Sequence, residues 1–413
     1  MIDIKLLREN PQTIKDSIKR RGLSVDIDAL LDLDTKRRAK IAELEGLQAK
    51  RNSLASEVGK AKPSAEQISR GRDLKGKHEA VDTELKKLDL HFSELIAEVP
   101  NLIADGTPDG GEESNREIEK HGKTEADFEV KDHMQINDLY GLYDFESGAK
   151  VAGNKFYFTR HKAVKLWQSI LMATQEIVEK EGFELVAVPH MVSTDVAAGT
   201  GYLPKGEEEQ NYVDSDQGLV MIATSEIPLT GMHKDEILNL SSPLMYAGIS
   251  PCYRLEAGAY GKFSKGLYRT HQFEKLEMYV FCKAEESDAK LQQILSIEKK
   301  ICEAFEIPYR VVRIACGDLS APAYEKYDVE YYSPAEKEYR ELTSCSNCTD
   351  YQARNLNIRY RDEQGVIQYA HTLNGTAVVS SRMPIAILEN HQTKDGKIKL
   401  PDVIAKYYGS DEL

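Results

Sequence analysis

No run in this chain is apolar over the roughly 18 positions that a membrane-spanning helix needs. The opening "MIDIKLLRENPQTIKDSIKRRG" has no secretory apolar core either. Both absences are read as a soluble cytoplasmic protein without a membrane partner. Cysteine is scarce, six in 413 residues. Cys252, Cys282, Cys302 and Cys316 stand apart. The single C-x-x-C, Cys345 and Cys348, lacks the second pair of a four-ligand zinc site and the surroundings of a thioredoxin-like couple. The thiols are therefore read as structural. Positive charge is in deficit, with a net charge of −14, which argues against unselective binding to nucleic acid, and DNA is not expected as a partner. Two nucleotide-binding signatures are missing: no G-x-x-x-x-G-K-[ST] occurs, since "GAYGKFSKG" fails the spacing, and no G-x-G-x-x-G joins a strand to a helix. Internal repeats and low-complexity tracts are absent as well.

What charge there is lies unevenly. Lys50, Arg51, Lys60, Lys62, Arg70, Arg72, Lys75 and Lys77 face only Glu57, Glu66 and Asp73 between residues 50 and 77, so this segment carries +5 on an otherwise acidic chain. It sits at the turn of a helical hairpin. Leu74, His78, Val81, Leu85, Leu88, Phe92, Leu95 and Val99 recur at alternating spacings of four and three, a coiled-coil seam, and Leu30, Leu33, Leu44, Leu47, Leu54 and Val58 form its upstream counterpart. Between them "GKAKPSAEQ" breaks one helix and caps the next. Two antiparallel helices at about 1.5 Å per residue give an arm reaching roughly 50 Å, with its basic residues at the tip. On this pattern alone the arm is a nucleic-acid contact or an oligomerisation strut. The expected organisation is an arm domain over 1–104, a turn-rich polar linker over 105–124 and a globular domain over 125–413.

Strand-like segments dominate the last of these: "FELVAVPHMV", "LVMIAT", "PLMYAGISPCYRLEA", "LYRTHQFEKLEMYVFC", "YRVVRIAC", "DVEYYSP", "EYRELTSCSN" and "VIQYAHTLNGTAVV". Few helices intervene, which predicts an α+β domain around a mainly antiparallel sheet. One pair of segments is unusual. In "YRLEAGAYGKFSKGLYRTHQFEKLE", alternation sets Arg254 and Glu256, then Arg269, His271, Phe273, Lys275 and Glu277, on one face, where an ordinary hairpin keeps apolar or freely solvated groups. Arginine forks suit phosphate oxygens, a carboxylate can accept from an exocyclic amine, and a ring can stack on a base. A nucleotide site and plain cross-strand ion pairing both fit this row. Near the C-terminus "HTLNGTAVVSSRMPIAILENHQ" reads as strand, small-residue turn and helix, with Pro384 in the first helical turn, Ile385, Ile387 and Leu388 inward and Arg382 at the junction.

These segments carry a family resemblance. "CYRLEAGAYGKFSKGLYRTHQFEKLE" resembles motif 2 of the class II aminoacyl-tRNA synthetases, and "LNGTAVVSSRMPIAILENHQ" resembles motif 3. The helix leading to "FELVAVPH", with Pro189, resembles motif 1, the dimer-forming element. Within that class "TGYLPK", "ATSEIPLT", "YRELTSCSNCTDYQAR" and the helical hairpin are similar to the seryl-tRNA synthetase family, over nearly the whole chain.

The resemblance implies a class II antiparallel catalytic domain preceded by a coiled-coil arm. It implies a homodimeric ligase with ATP as substrate and Mg2+ as cofactor, which activates L-serine and transfers it to tRNA(Ser), with tRNA(Sec) as a further acceptor. It places Arg254 at the α-phosphate, Glu256 at the adenine amine, Phe273 and Arg382 on the two adenine faces, and Arg269 at the γ-phosphate. Leu255, Leu342 and Thr343 join the ATP-binding set, and Glu341 and Ser344 are placed near magnesium. Strand alternation would turn Glu341 and Ser344 to opposite faces, so a bulge or strand end is required between them. Thr224, Ser225 and Glu226, with Arg254, Glu277, Asn374 and Thr376, are implied as the serine pocket, and the basic arm residues Lys50 through Lys77 as the tRNA contact. Departures are local: Leu255 replaces a frequent serine, Val188 a frequent proline, and "VVSS" stands before Arg382.

Overall fold

A computed structural model describes residues 1–59, 62–202, 211–256 and 266–413. The chain divides into two units, Met1–Leu102 and Ile103–Leu413.

In the first unit, short helices Ile4–Glu9 and Pro11–Arg20 precede two long ones, α1 (Ile27–Val58) and α2 (Ala65–Ala97). Both long helices start on side-chain caps: Asp26 accepts from the Ala29 amide, and Ser64 forms a reciprocal capping box with Gln67. Of the expected seam, Leu30, Leu33, Leu47 and Leu54 are buried on α1 and Val81 and Phe92 on α2; Ile96, outside that pattern, is buried while Leu95 is half-buried. Arg37 pairs with Asp89 at 2.7 Å and Lys40 with Glu84 at 2.6 Å, so partner numbers rise on one helix as they fall on the other. That is an antiparallel register. The Arg37 guanidinium also lies 4.3 Å over the Phe92 ring, so this charged residue at the seam packs its head on an aromatic face while pairing with Asp89.

In the second unit, eight strands among the described residues form one sheet: β1 (Arg116–His121), β2 (Glu184–Ala187), β3 (Leu244–Tyr253), β4 (Gln272–Cys282), β5 (Tyr309–Arg313), β6 (Glu325–Ser333), β7 (Glu338–Thr349) and β8 (His371–Val379). Their order is β1-β5-β6-β7-β8-β4-β3-β2, antiparallel throughout except β2 on β3. Helices α3 (Lys162–Lys180), α4 (Ser287–Ala304) and α5 (Met383–Asn390) contribute Leu166, Ile170, Ile294, Ile301 and Ile385 to the core beneath, against Leu276, Met278, Val280, Leu373 and Val329 of the sheet. The packing is tight enough that a Cβ on Gly375 of β8 would lie 2.2 Å from Ile294. On the opposite face of the middle strands, Tyr279 and Phe281 of β4 join a second apolar cluster with Ile222, Ile227 and Ala353, and the remainder is polar.

The stretch 105–124 is not a plain linker. Its residues Arg116–His121 pair with β5 as the outermost strand, with the register stepping over Ile118. All six are exposed, so "REIEKH" carries no apolar alternation for a reader to detect. Charged residues on a sheet edge also deter pairing with another chain.

Candidate active site

The polar face holds a cavity of about 340 Å³. Nine residues expected at ATP or magnesium converge on it: Arg254, Glu256, Arg269, Phe273, Glu341, Leu342, Thr343, Ser344 and Arg382. So do Glu226, Glu277, Asn374 and Thr376 of the expected serine pocket. Leu255, Thr224 and Ser225 do not line it. Thr224 and Ser225 are buried below, where the Thr224 hydroxyl accepts from the Glu226 amide at 3.2 Å and Ser225 donates to the Gly248 carbonyl at 3.1 Å. Gly248 on β3 is required there, since a Cβ would sit 2.8 Å from that of Ser225. These two residues set the turn, and Glu226 alone reaches the cavity.

The hairpin face is only partly the one alternation predicts. β4 begins at Gln272, and from there Phe273, Lys275 and Glu277 do point into the cavity. His271 does not. It lies ahead of the strand, its ring stacks on Phe156 at 5.0 Å, and its Nδ1 meets the Arg254 carbonyl at 2.9 Å. Thr270 takes the lining position instead. Across the gap β3 ends at Tyr253, and Glu256 adopts a left-handed φ of +47°, which swings its carboxylate to within 3.0 Å of Arg269. Residues 257–265, which include most of the glycine-rich loop, lie outside the described residues.

Arg254 bridges the two ends of the cavity. Its guanidinium donates twice to the Ala223 carbonyl at 3.4 Å and lies 5.1 Å over the Phe273 ring. Arg382 caps α5 and pairs with Glu341 at 2.9 Å, while also donating to the Glu341 carbonyl at 3.1 Å. Burial alone would raise the Glu341 carboxyl. The charges of Arg382 and Lys326 outweigh it and hold the group at about 2. The bulge required between Glu341 and Ser344 is present: Glu330 pairs with Glu341 and Val329 with Thr343, so Leu342 is the extra residue.

Deeper in, Glu277 is opposite Thr376 in the β4–β8 register and accepts its hydroxyl at 3.4 Å. It also pairs with Lys275, both side chains being less than a tenth exposed. Glu226 accepts from Tyr202 at 2.7 Å, Gln352 at 2.7 Å and Asn374 at 3.1 Å. Burial, and then the charge of Glu277, push the Glu226 carboxyl above its usual range, while Gln352 and Tyr202 pull it back.

Four participants had no role assigned from sequence. Tyr202 and Gln352 lay inside quoted motifs, "TGYLPK" and "YQAR". Lys275 lay on the alternating face. Lys326, which lines the cavity and pairs with Asp328 at 3.0 Å, gave no signal beyond strand alternation. All six cysteines are free and buried, and Cys348 lines the cavity beside Asn374. In the arm, Lys50, Lys62, Arg70, Arg72, Lys75 and Lys77 are exposed and Arg51 is half-buried; Lys60 lies outside the described residues.

Among known proteins, residues 209–391 match the tRNA synthetase class II core domain (G, H, P, S and T), and residues 1–103 match the seryl-tRNA synthetase N-terminal domain. The chain is 44% identical over 421 aligned positions to the serine–tRNA ligase of Dictyoglomus thermophilum, covering 100% of this chain and 99% of that one. It is 43% identical to that of Treponema denticola, with full coverage of both. A solved seryl-tRNA synthetase from Pyrococcus horikoshii, complexed with ATP, superposes with a TM-score of 0.90 at 36% identity, over 100% of this chain and 99% of that one. With both units matched and the likeness running end to end, the chain belongs to the seryl-tRNA synthetase family.

Proposed function

We propose that this cavity activates serine with ATP, in a serine–tRNA ligase whose helical arm holds the tRNA. One observation carries the reading: Arg269 and Arg382 lie at one end of a single cavity, Glu226 and Glu277 are buried at the other, and Arg254 acts on groups at both. In the first step a serine carboxylate oxygen attacks the α-phosphorus, the bond to the bridging oxygen breaks, and pyrophosphate leaves. Arg254 spans both ends and holds the α-phosphate; Arg269 neutralises the distal phosphates. Phe273 and the Arg382 guanidinium sandwich the adenine, and the Glu256 carboxylate accepts from its amine. Positioning and charge neutralisation do most of the work, since no difficult proton transfer is involved. In the second step a terminal ribose hydroxyl of tRNA attacks the seryl carbonyl and AMP departs. Glu277 and Thr376 hydrogen-bond the serine hydroxyl, and a buried pair left without that partner rejects alanine by roughly 10⁴ or more.

Magnesium fits the same place. It is ordinarily bound by one or two carboxylates together with substrate phosphates, and the Glu341 carboxylate is ionised, 43% exposed and on the cavity wall with Ser344. Glu341 and Ser344 would hold the ion, which supplies charge neutralisation for the phosphates.

The exposed lysines and arginines of the arm contact tRNA phosphates and give affinity that falls steeply with salt. Val164 and Met172 of α3, 40% and 47% exposed, support the motif 1 helix as a homodimer surface. No helix among the described residues is long and apolar enough to cross a membrane, and we assign the enzyme to the cytoplasm. The deciding experiment is serine-dependent ATP–pyrophosphate exchange, followed by charging of tRNA(Ser). Exchange and charging are both expected. A protein lacking residues 36–91 should keep exchange near the parent level while charging falls sharply; undiminished charging at matched salt would make the arm a strut.

A further inference from the structure

We propose that Gln352, on the helix Tyr351–Leu356, is the positioning residue that presents the Glu226 carboxylate to the amino-acid substrate; this rests on Glu226 belonging to the serine pocket. Gln352 is fully buried and does not line the cavity. Its Nε2 donates to Glu226 Oε1 at 2.7 Å and to the Thr200 carbonyl at 3.2 Å. Its Oε1 accepts from the Tyr279 hydroxyl at 2.9 Å and the Thr372 hydroxyl at 2.7 Å. A carboxylate and a carbonyl can only accept, so the amide nitrogen must face them and the oxygen must face the two hydroxyls. The reverse orientation would set acceptor against acceptor.

Proton direction then follows through the chain. Tyr279 has one proton, and it goes to Gln352. The Thr230 hydroxyl lies 2.6 Å from that of Tyr279 and 2.7 Å from the Glu226 carbonyl, and its one proton can serve only one of them. Tyr279 and Gln352 form a two-step relay of donors ending on Glu226, and both are buried. Its members come from β4 and the helix Tyr351–Leu356, with Thr372 of β8 as a side support. Asn374 adds a second donor to Oε1 and Tyr202 one to Oε2. Of the roughly four acceptor positions of a carboxylate, one remains on Oε2 for a substrate donor. The network thus fixes both the rotamer of Glu226 and the position through which it can bind.

The other titratable groups facing Glu226 are Tyr202, Tyr279, Glu277, Lys275 and Cys348, with Arg254 beyond Tyr202. Removing the Gln352 donor withdraws a hydrogen bond that favours the ionised carboxylate. Loss of serine binding on acidification should therefore begin at higher pH.

The test uses the full-length protein and serine-dependent pyrophosphate exchange across pH. Gln352→Met keeps the length of the side chain and removes both amide ends. The KM for serine should rise roughly ten- to hundredfold, the range for a lost hydrogen bond to a charged group, with the KM for ATP unchanged and the acid limb of kcat/KM for serine displaced upward. A fall in kcat with both KM values and the acid limb unchanged is what a merely structural role gives, and it overturns the proposal. Where Gln352→Met shows no cooperative unfolding transition, Tyr279→Phe decides. It keeps the ring and removes one proton, and a serine KM raised about threefold or more supports the relay; an unchanged value overturns it. Absence of serine-dependent exchange in the parent protein overturns the functional reading and this proposal together, whereas parent exchange with an unaffected Gln352→Met overturns the proposal alone.

Discussion

The two ends of the cavity are built on opposite principles. At the phosphate end the side chains of Arg269 and Glu341 are 45% and 43% exposed; Arg269 pairs with Glu256, and Glu341 pairs with Arg382 while the Lys326 charge also acts on it. At the amino-acid end Glu226 and Glu277 are nearly inaccessible and enclosed by donors from four or more different segments. A polyanion needs charge that can rearrange around it, and exposed ion pairs cost little to open. Discriminating one hydroxyl needs the reverse, a dry site in which an unpaired group is expensive. The contrast assigns affinity to one end and selectivity to the other.

Arg254 belongs to both ends, so its loss should be the most damaging. Arg254→Ala is expected to lower kcat/KM for pyrophosphate exchange by roughly 10²–10³, the range seen on removing one preorganised charge-stabilising donor, with the values for serine and ATP falling together. A selective loss for one substrate would confine Arg254 to one end.

Lys275→Met sharpens the comparison through stability. It leaves the Glu277 charge buried without its ion-pair partner, and unfolding in urea should show a loss of about 3–5 kcal/mol. A loss below about 1 kcal/mol would place the pair among exposed ones. The corresponding change at the other end, Arg269→Ala, should alter stability by less than about 1 kcal/mol while raising the KM for ATP and sparing that for serine.

The smallest effect is a dependence on pH. The Glu341 carboxyl is depressed to about 2 in the folded chain. Its contribution is therefore complete above the ordinary glutamate range of about 4.3 and is lost as pH falls towards 2. The stability difference between the parent and Glu341→Gln should be constant near neutrality and shrink through that acid window, read from urea midpoints at successive pH values. A difference that keeps its size down to pH 2 would show that Glu341 is not held by charge.

Much of this arrangement is legible in the chain because it is periodic. Much of the arm seam follows from heptad spacing, and the capping signal at Ser64 marks where its second helix starts. Phe273, Lys275 and Glu277 follow from alternation, and the conflict between Glu341 and Ser344 pointed to the bulge at Leu342. Three features were not legible. The strand Arg116–His121 has no apolar face to betray it. His271 lies one residue outside β4, where alternation no longer applies. The clamp on Glu226 gathers Tyr202, Gln352 and Asn374, of which Gln352 is 126 residues away in sequence.

The sequence by itself determined the periodic secondary elements, the antiparallel sheet, the basic arm and the kinds of group on the polar face, because each is written in spacings of two, three or four residues that the backbone imposes locally. Only the tertiary structure decided which carboxylate is enclosed by which donors. Hydrogen-bond partners depend on the register between distant strands and on a helix laid beside them, and a single bulge or one-residue shift would have assigned Glu226 and Glu277 different neighbours.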